Sequence, residues 1–280
     1  MTAPRLADRF DNTLARLRAS GRPFAIATVV RTLDATSAKP GAKALILPDG
    51  TIAEGWIGGG CARGAVGRAG VAAITTGQPQ FLSLRPEDLL AAEGVTPGEE
   101  RDGIRFARNG CPSRGSMDIF VEPVLPRPRL VVFGAGPVAL ALTELAARFD
   151  LHRTLAAPGA AADLPEDAAD SLQDGFALDT DAEGQRFIVI ATQGKGDEAA
   201  LRAALAAGAD YIAFVGSRRK FATLAARLTE SGVPAEALAT IRAPAGLNIH
   251  AITPEEIALS ILAELTLIRR SADRKEDAHG

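Results

Sequence analysis

Leu130-Val131-Val132-Phe133-Gly134-Ala135-Gly136-Pro137-Val138-Ala139 decides how the second half of this 280-residue chain folds. The first four residues read as an apolar strand, and the Gly-x-Gly-x-x-Ala pattern turns that strand into a helix. Glycines at such a turn let a backbone approach a phosphate, while the helix N-terminus offers N–H groups and the positive end of its dipole. Outward from this point strand and helix alternate: strands at 153–156, 187–191 and 211–215, helices at 139–149, 198–207 and 220–231. That alternation predicts a parallel sheet covered on both faces, a doubly wound Rossmann-like domain over residues 127–270. Its last helix is announced by Thr253-Pro254-Glu255-Glu256, which supplies an N-cap, a proline at the first helical position and acids in the first turn. Residues 271–280 are polar and read as a flexible tail.

The proline-rich break Leu125-Pro126-Arg127-Pro128-Arg129 separates this half from residues 1–126. There, helical spacing over 8–18 precedes a buried strand at 24–30. A second strand at 43–47 meets Pro48-Asp49-Gly50, which is hairpin chemistry. Trp56-Ile57 leads into Gly58-Gly59-Gly60-Cys61 and a helix over 62–74, followed by strands at 81–84, 103–107 and 117–124. The first half therefore reads as a separate α/β domain built around a Gly-Gly-Gly-Cys turn.

A formal charge of −3 and a pI of about 5.7 give a nucleic-acid partner no electrostatic support. No run of about 18 apolar residues signals stable membrane insertion, and the charged N-terminal segment lacks the apolar core of a signal peptide. A cytoplasmic location is expected. Two cysteines do not make a disulfide framework and read as free thiols.

Four segments carry candidate chemistry. Cys61, behind three glycines at a helix start, is placed where the dipole favours a thiolate, available to a soft metal or to sulfur transfer; the alternative is an inert buried cysteine. Cys111, in Asn109-Gly110-Cys111-Pro112-Ser113, is either a second ligand or a loop thiol. Ser217-Arg218-Arg219-Lys220 follows a strand, where parallel sheets place anionic ligands, or else it is a solvated helix start. Thr192-Gln193-Gly194-Lys195-Gly196 wraps a ligand or is a plain connection. Gly134 and Gly136 admit NAD(P) or FAD, but the end of the second strand reads Leu155-Ala156-Ala157-Pro158, without the acid that holds a nicotinamide ribose. The turn at 243–248 is expected to close the sheet, and His152, His250 and His279 lack metal-ligand spacing.

As a set, these motifs resemble the XdhC/CoxI family, accessory proteins of molybdenum hydroxylases. The resemblance is carried by Val29-Val30-Arg31 with 37–43, by Ile57 through Cys61, and by Phe120-Val121-Glu122-Pro123. It continues in 130–138, Gly216 through Lys220, 243–247 and 253–261. It implies a chaperone that binds molybdenum cofactor, assists its sulfuration and delivers it to an apo molybdenum hydroxylase, with Cys61 as the cysteine near the cofactor. Gly58, Gly59, Gly60, Gly134, Gly136, Thr192 and the segment Ser217, Arg218, Arg219, Lys220 become cofactor-binding candidates, and Cys61 and Cys111 metal candidates. A sulfur donor or other maturation proteins are expected partners, and a homodimer is allowed. Pro112-Ser113 after Cys111, and Gln193 after Thr192, depart from the common family pattern toward the CoxF-like carbon monoxide dehydrogenase branch. That branch implies a copper-sulfide client centre and the molybdopterin cytosine dinucleotide form. The rivals are an NAD(P)- or FAD-dependent oxidoreductase and a docking scaffold without cofactor.

Overall fold

The computed structural model describes residues 6–110, 114–179 and 184–277. The chain divides into two compact units, Met1–Pro126 and Arg127–Gly280.

The first unit runs α1 (Leu6–Ser20), β1 (Phe24–Leu33), β2 (Lys43–Ile46), β3 (Ile52–Gly55), α2 (Gly60–Thr76), β4 (Gln80–Arg85), α3 (Glu87–Ala92), β5 (Glu100–Arg101), β6 (Ile104–Arg108) and β7 (Ser116–Val124). Its strands form a seven-stranded sheet in the order β3-β2-β1-β7-β4-β6-β5, in which only β4 and β6 pair in parallel. Alternation along β1 sorts the two faces. Phe24 and Ile26 pack with Leu45 against Phe10, Leu14 and Leu17 of α1. Ala25, Ala27 and Val29 face the other way, onto Ala62, Ala65, Val66, Ala69 and Ala73 of α2.

Small residues let α2 lie close to the sheet. A Cβ on Gly67 would stand 2.6 Å from the Gly50 carbonyl oxygen, and one on Gly70 2.6 Å from Ile46. The β2–β3 hairpin turns at Pro48-Asp49-Gly50, where Gly50 has φ +82° and Asp49 accepts the Thr51 N–H.

The second unit runs β8 (Arg129–Phe133), α4 (Pro137–Ala146), β9 (His152–Ala157), α5 (Ala160–Asp163), β10 (Ser171–Asp174), β11 (Arg186–Ile190), α6 (Asp197–Ala206), β12 (Tyr211–Phe214), α7 (Arg218–Glu230), α8 (Ala235–Ala239) and α9 (Pro254–Asp277). All five strands are parallel, in the order β10-β9-β8-β11-β12. Chain order therefore reverses beside β8, the crossover at which such sheets bind ligands. Val138, Leu142, Ala258 and Ile261 of α4 and α9 cover one face, and Ala200, Leu201, Leu224 and Leu228 of α6 and α7 the other.

The helix at 253 begins as its sequence predicts. Thr253 Oγ1 accepts the Glu256 N–H, and the Glu256 carboxylate accepts the N–H groups of Ile252 and Thr253. Helix α9 continues past Arg270, the expected start of the tail, to Asp277; 271–277 contain no glycine or proline to stop it. The turn at 243–248 closes the sheet edge: Ala245 N–H donates to Phe214 and Leu247 N–H to Ser260. No helix among the described residues is long and apolar enough to cross a membrane.

Candidate functional site

In the first unit the triple glycine divides into one structural residue and two open ones. Gly58 has φ +121°, and a Cβ there would press on Ala62 at 3.2 Å, so the fold requires glycine. Gly59 and Gly60 have no atom within 4 Å of where a Cβ would stand. Gly59 is the N-cap of α2 and Cys61 lies in its first turn. Cys61 is exposed rather than buried and inert.

A chain of buried contacts sets the wall beside this thiol. Asp118, almost wholly buried, accepts from Arg31 Nε at 2.6 Å and Ser83 Oγ at 2.8 Å, and its Oδ1 stands 3.3 Å from Arg85 Nη1. These contacts pin the ends of β1, β4 and β7 together. The Arg85 carbonyl accepts the Asn109 N–H at 2.7 Å, and the Asn109 amide donates to Gly115 O at 2.5 Å. The adjoining Gly110 then lies against the sulfur: a Cβ on it would stand 3.3 Å from Cys61 Sγ. Cys111 itself falls outside the described residues.

Cys61 also stands on the wall of a cavity of about 550 Å³ bounded by α2 and β6. Helix α2 packs across β7, β1, β4 and β2, and the strip over β6 is left as the cavity. Its floor includes buried Leu82 and Ala65, and its wall carries Arg68 and Arg105 and no carboxylate; Arg108 borders it at the end of β6, but three residues on from Arg105 its side chain lies on the opposite face of the sheet, beside Glu87. Sequence reasoning passed over these arginines, because α2 and β6 bring them together from distant parts of the chain.

The second unit treats its glycines differently. Gly134 has φ +127°, and a Cβ there would lie 2.4 Å from the Ala191 carbonyl oxygen, so glycine is required by the approach of β8 to the end of β11. A Cβ on Gly136 would lie 2.5 Å from Gln193 Oε1. The Gln193 amide therefore covers the turn on which a pyrophosphate would rest.

Three candidates of this unit make contacts within the fold. Thr192 is buried and its hydroxyl donates to Asp197 Oδ1, which also accepts the Gly194 N–H at 3.1 Å. Lys220, expected to meet a ligand anion, pairs with Asp197 Oδ2 at 2.7 Å and lies 5.2 Å from the centre of the Phe214 ring. Ser217 is the N-cap of α7 and accepts the Lys220 N–H at 3.2 Å. Burial pushes the Asp197 carboxyl up, but Lys220, Thr192 and the Gly194 N–H outweigh it and hold it below its ordinary value.

Arg218 and Arg219 remain exposed. Arg219 faces a cavity of about 800 Å³ between α6 and α7, whose lining also carries Ser217, Lys220 and Arg227 together with the carboxylates of Asp197 and Glu198. Among the described residues no cluster of three His, Cys, Asp or Glu side chains is arranged to hold a metal ion.

Comparison with known proteins covers most of the chain in two pieces. Residues 130–265 match the XdhC Rossmann domain, and residues 17–85 match the XdhC and CoxI family. YqeB of Escherichia coli (strain K12) is 30% identical over 268 residues, covering 92% of this chain and 46% of YqeB. A protein of Bacillus subtilis (strain 168), described as a probable subunit of xanthine dehydrogenase, is 31% identical over 162 residues, covering 55% of this chain and 47% of that protein. The chain spans about half the length of these curated relatives. A solved structure described as a xanthine dehydrogenase from Bacillus halodurans aligns over 93% of this chain and 95% of that one, at 20% identity and a TM-score of 0.43.

Proposed function

This chain belongs to the XdhC and CoxI family, and on that premise we propose that it is an accessory factor of a molybdenum hydroxylase. It takes the molybdenum cofactor as cargo, holds it while a sulfur ligand is installed, and hands it to the apo-enzyme. The observation that carries this reading is Cys61: an exposed thiol in the first turn of α2, with Gly59 and Gly60 open beside it and a cavity behind it. Thiolate is a soft ligand and suits a metal that itself carries sulfur. The residues present fit such cargo, since two glycines without steric duty leave backbone accessible next to the thiol. A sulfur donor and the apo-hydroxylase are the partners this role requires.

Pro112-Ser113 and Gln193 support a finer version, in which the client is of the carbon monoxide dehydrogenase type and the cargo is the cytosine dinucleotide form. In that version the sulfido ligand joins copper to molybdenum.

Cys61→Ser tests the role. The variant is expected to fold as wild type, because the side chain is exposed, while retaining less molybdenum and pterin on purification and yielding less active client. Unchanged retention together with unchanged client activation removes the thiol from the role.

An NAD(P)- or FAD-dependent oxidoreductase is the second reading, favoured by the turn at Gly134 and Gly136. The Gln193 amide over Gly136 and the absence of an acid in 155–158 weigh against it.

A further inference from the structure

The two units offer cations of different availability. In the second unit Lys220 is committed to Asp197, a side chain only 7% exposed, and removing the partner of a buried charge is costly. The cavity at Arg219 also carries Asp197 and Glu198, already paired with Lys220 and Arg227 of the same lining, so those two cations meet a carboxylate before any ligand. In the first unit Arg105 pairs with Glu100 at 3.0 Å, and both side chains are well exposed. Exposed pairs of this kind contribute little and exchange readily for a better anion. Arg68 has no ion pair among the described residues. The cavity they line has an apolar floor at Leu82 and Ala65 and no carboxylate on its wall.

We infer that this cavity of the first unit is a binding site for a planar heterocycle carrying a phosphate, with the ring on the apolar floor and the phosphate on Arg68 and Arg105. The inference deepens the proposed function, on which it rests, by assigning the anionic end of the cargo to the unit that holds Cys61, in place of the 217–220 segment. A forked guanidinium suits a phosphate, because two parallel N–H groups meet two oxygens. Two guanidiniums, one from α2 and one from β6, give the pull, while the floor selects for a ring over a bare ion.

The test is calorimetric titration of the full chain with guanosine 5′-monophosphate, guanosine, inorganic pyrophosphate and isolated molybdenum cofactor. Guanosine monophosphate is expected to bind, and its affinity to fall about tenfold or more in Arg68→Ala and in Arg105→Ala, the loss expected when a charge-assisted hydrogen bond is removed. Guanosine is expected to bind more weakly and equally to wild type and both variants. Arg218→Ala is expected to bind every probe as wild type. The inference is overturned if Arg68→Ala and Arg105→Ala bind the monophosphate as wild type does, if Arg218→Ala alone loses it, or if neither the monophosphate nor pyrophosphate binds the wild type. Cofactor that binds through Cys61 and ignores the arginine variants overturns this site and leaves the proposed function standing. Monophosphate bound through the arginines, with no binding of the cofactor, keeps the site and removes the proposed function.

Discussion

The two glycine turns of this protein look alike in sequence and differ in what stands over them. At 58–60 only Gly58 is demanded by packing, and Gly59 and Gly60 border open space at an exposed thiol. At 134–136 the backbone of Ala191 closes on one glycine and the Gln193 amide on the other. A glycine is a sign of close approach, and the approaching group can be a ligand or the protein itself. The first turn leaves its backbone open, and at the second the protein itself stands over both glycines.

Replacement at the two turns separates these cases most strongly. Gly134→Ala puts a Cβ 2.4 Å from a carbonyl oxygen at φ +127°, so the second unit is expected to lose about 3 kcal/mol or more. Gly60→Ala meets nothing within 4 Å and lies in a helix, so stability is expected to change by no more than about 0.5 kcal/mol. Urea unfolding reads both units in one sample, since Trp56, the sole tryptophan, reports on the first and Tyr211, the sole tyrosine, on the second. Equal losses from both replacements would end the distinction between an open and a filled turn.

The cations sharpen the same contrast at a smaller scale. Lys220→Ala leaves the buried Asp197 carboxylate without its ammonium partner and is expected to cost about 2 kcal/mol, seen at Tyr211. Arg105→Ala breaks only an exposed pair with Glu100 and is expected to cost about 0.5 kcal/mol or less, seen at Trp56. A stability loss for Arg105 as large as that for Lys220 would mark the cavity arginines as structural.

Much of this architecture was legible because its signals are local. The strand before Gly134 and the Thr253–Glu256 capping box each specify a conformation within a few residues. Strand β10 escaped because Ser171-Leu172-Gln173-Asp174 offers a single apolar residue and sits at a sheet edge. The short elements α3 and β5 have no pattern long enough to show a period. Cys61 was legible as a helix-start thiol. The arginines beside it were not, because their meeting depends on β6 pairing with β4 alongside α2. The pairing of Lys220 was not legible because its partner, Asp197, lies on another helix start that only the β11–β12 pairing brings near.

Gln193 gives a direct probe of the filled turn. Wild type is expected to bind NAD and NADP with dissociation constants weaker than about 1 mM, a free energy below about 4 kcal/mol. Gln193→Ala uncovers Gly136 but adds no ribose-binding acid at 155–158, so calorimetry is expected to show a gain for pyrophosphate and little for NAD. Tight NAD binding by the wild type would raise the oxidoreductase reading above the accessory one.

The smallest expected effect is a pH dependence confined to one unit. Burial lowers the affinity of His152 for a proton; Asp170 opposes this, while Arg127, Arg129 and Arg153 add to it, so its folded pKa lies below the ordinary 6.5. The unfolded chain takes up a proton near 6.5 that the folded chain still refuses. The stability held by neutral His152 is therefore present above pH 6.5 and is lost as pH falls toward the folded value. All three histidines lie beyond residue 126, so the first unit has no group of this type. Between pH 7 and 5.5 the urea midpoint at Tyr211 is expected to drop while that at Trp56 stays level, and His152→Gln is expected to flatten the Tyr211 slope. The Ser171 hydroxyl, 3.1 Å from His152 Nε2, keeps a hydrogen-bonding partner in that variant. A slope at Trp56 equal to that at Tyr211 would mean that the two units unfold as one, and the contrast drawn between them would lose its energetic basis.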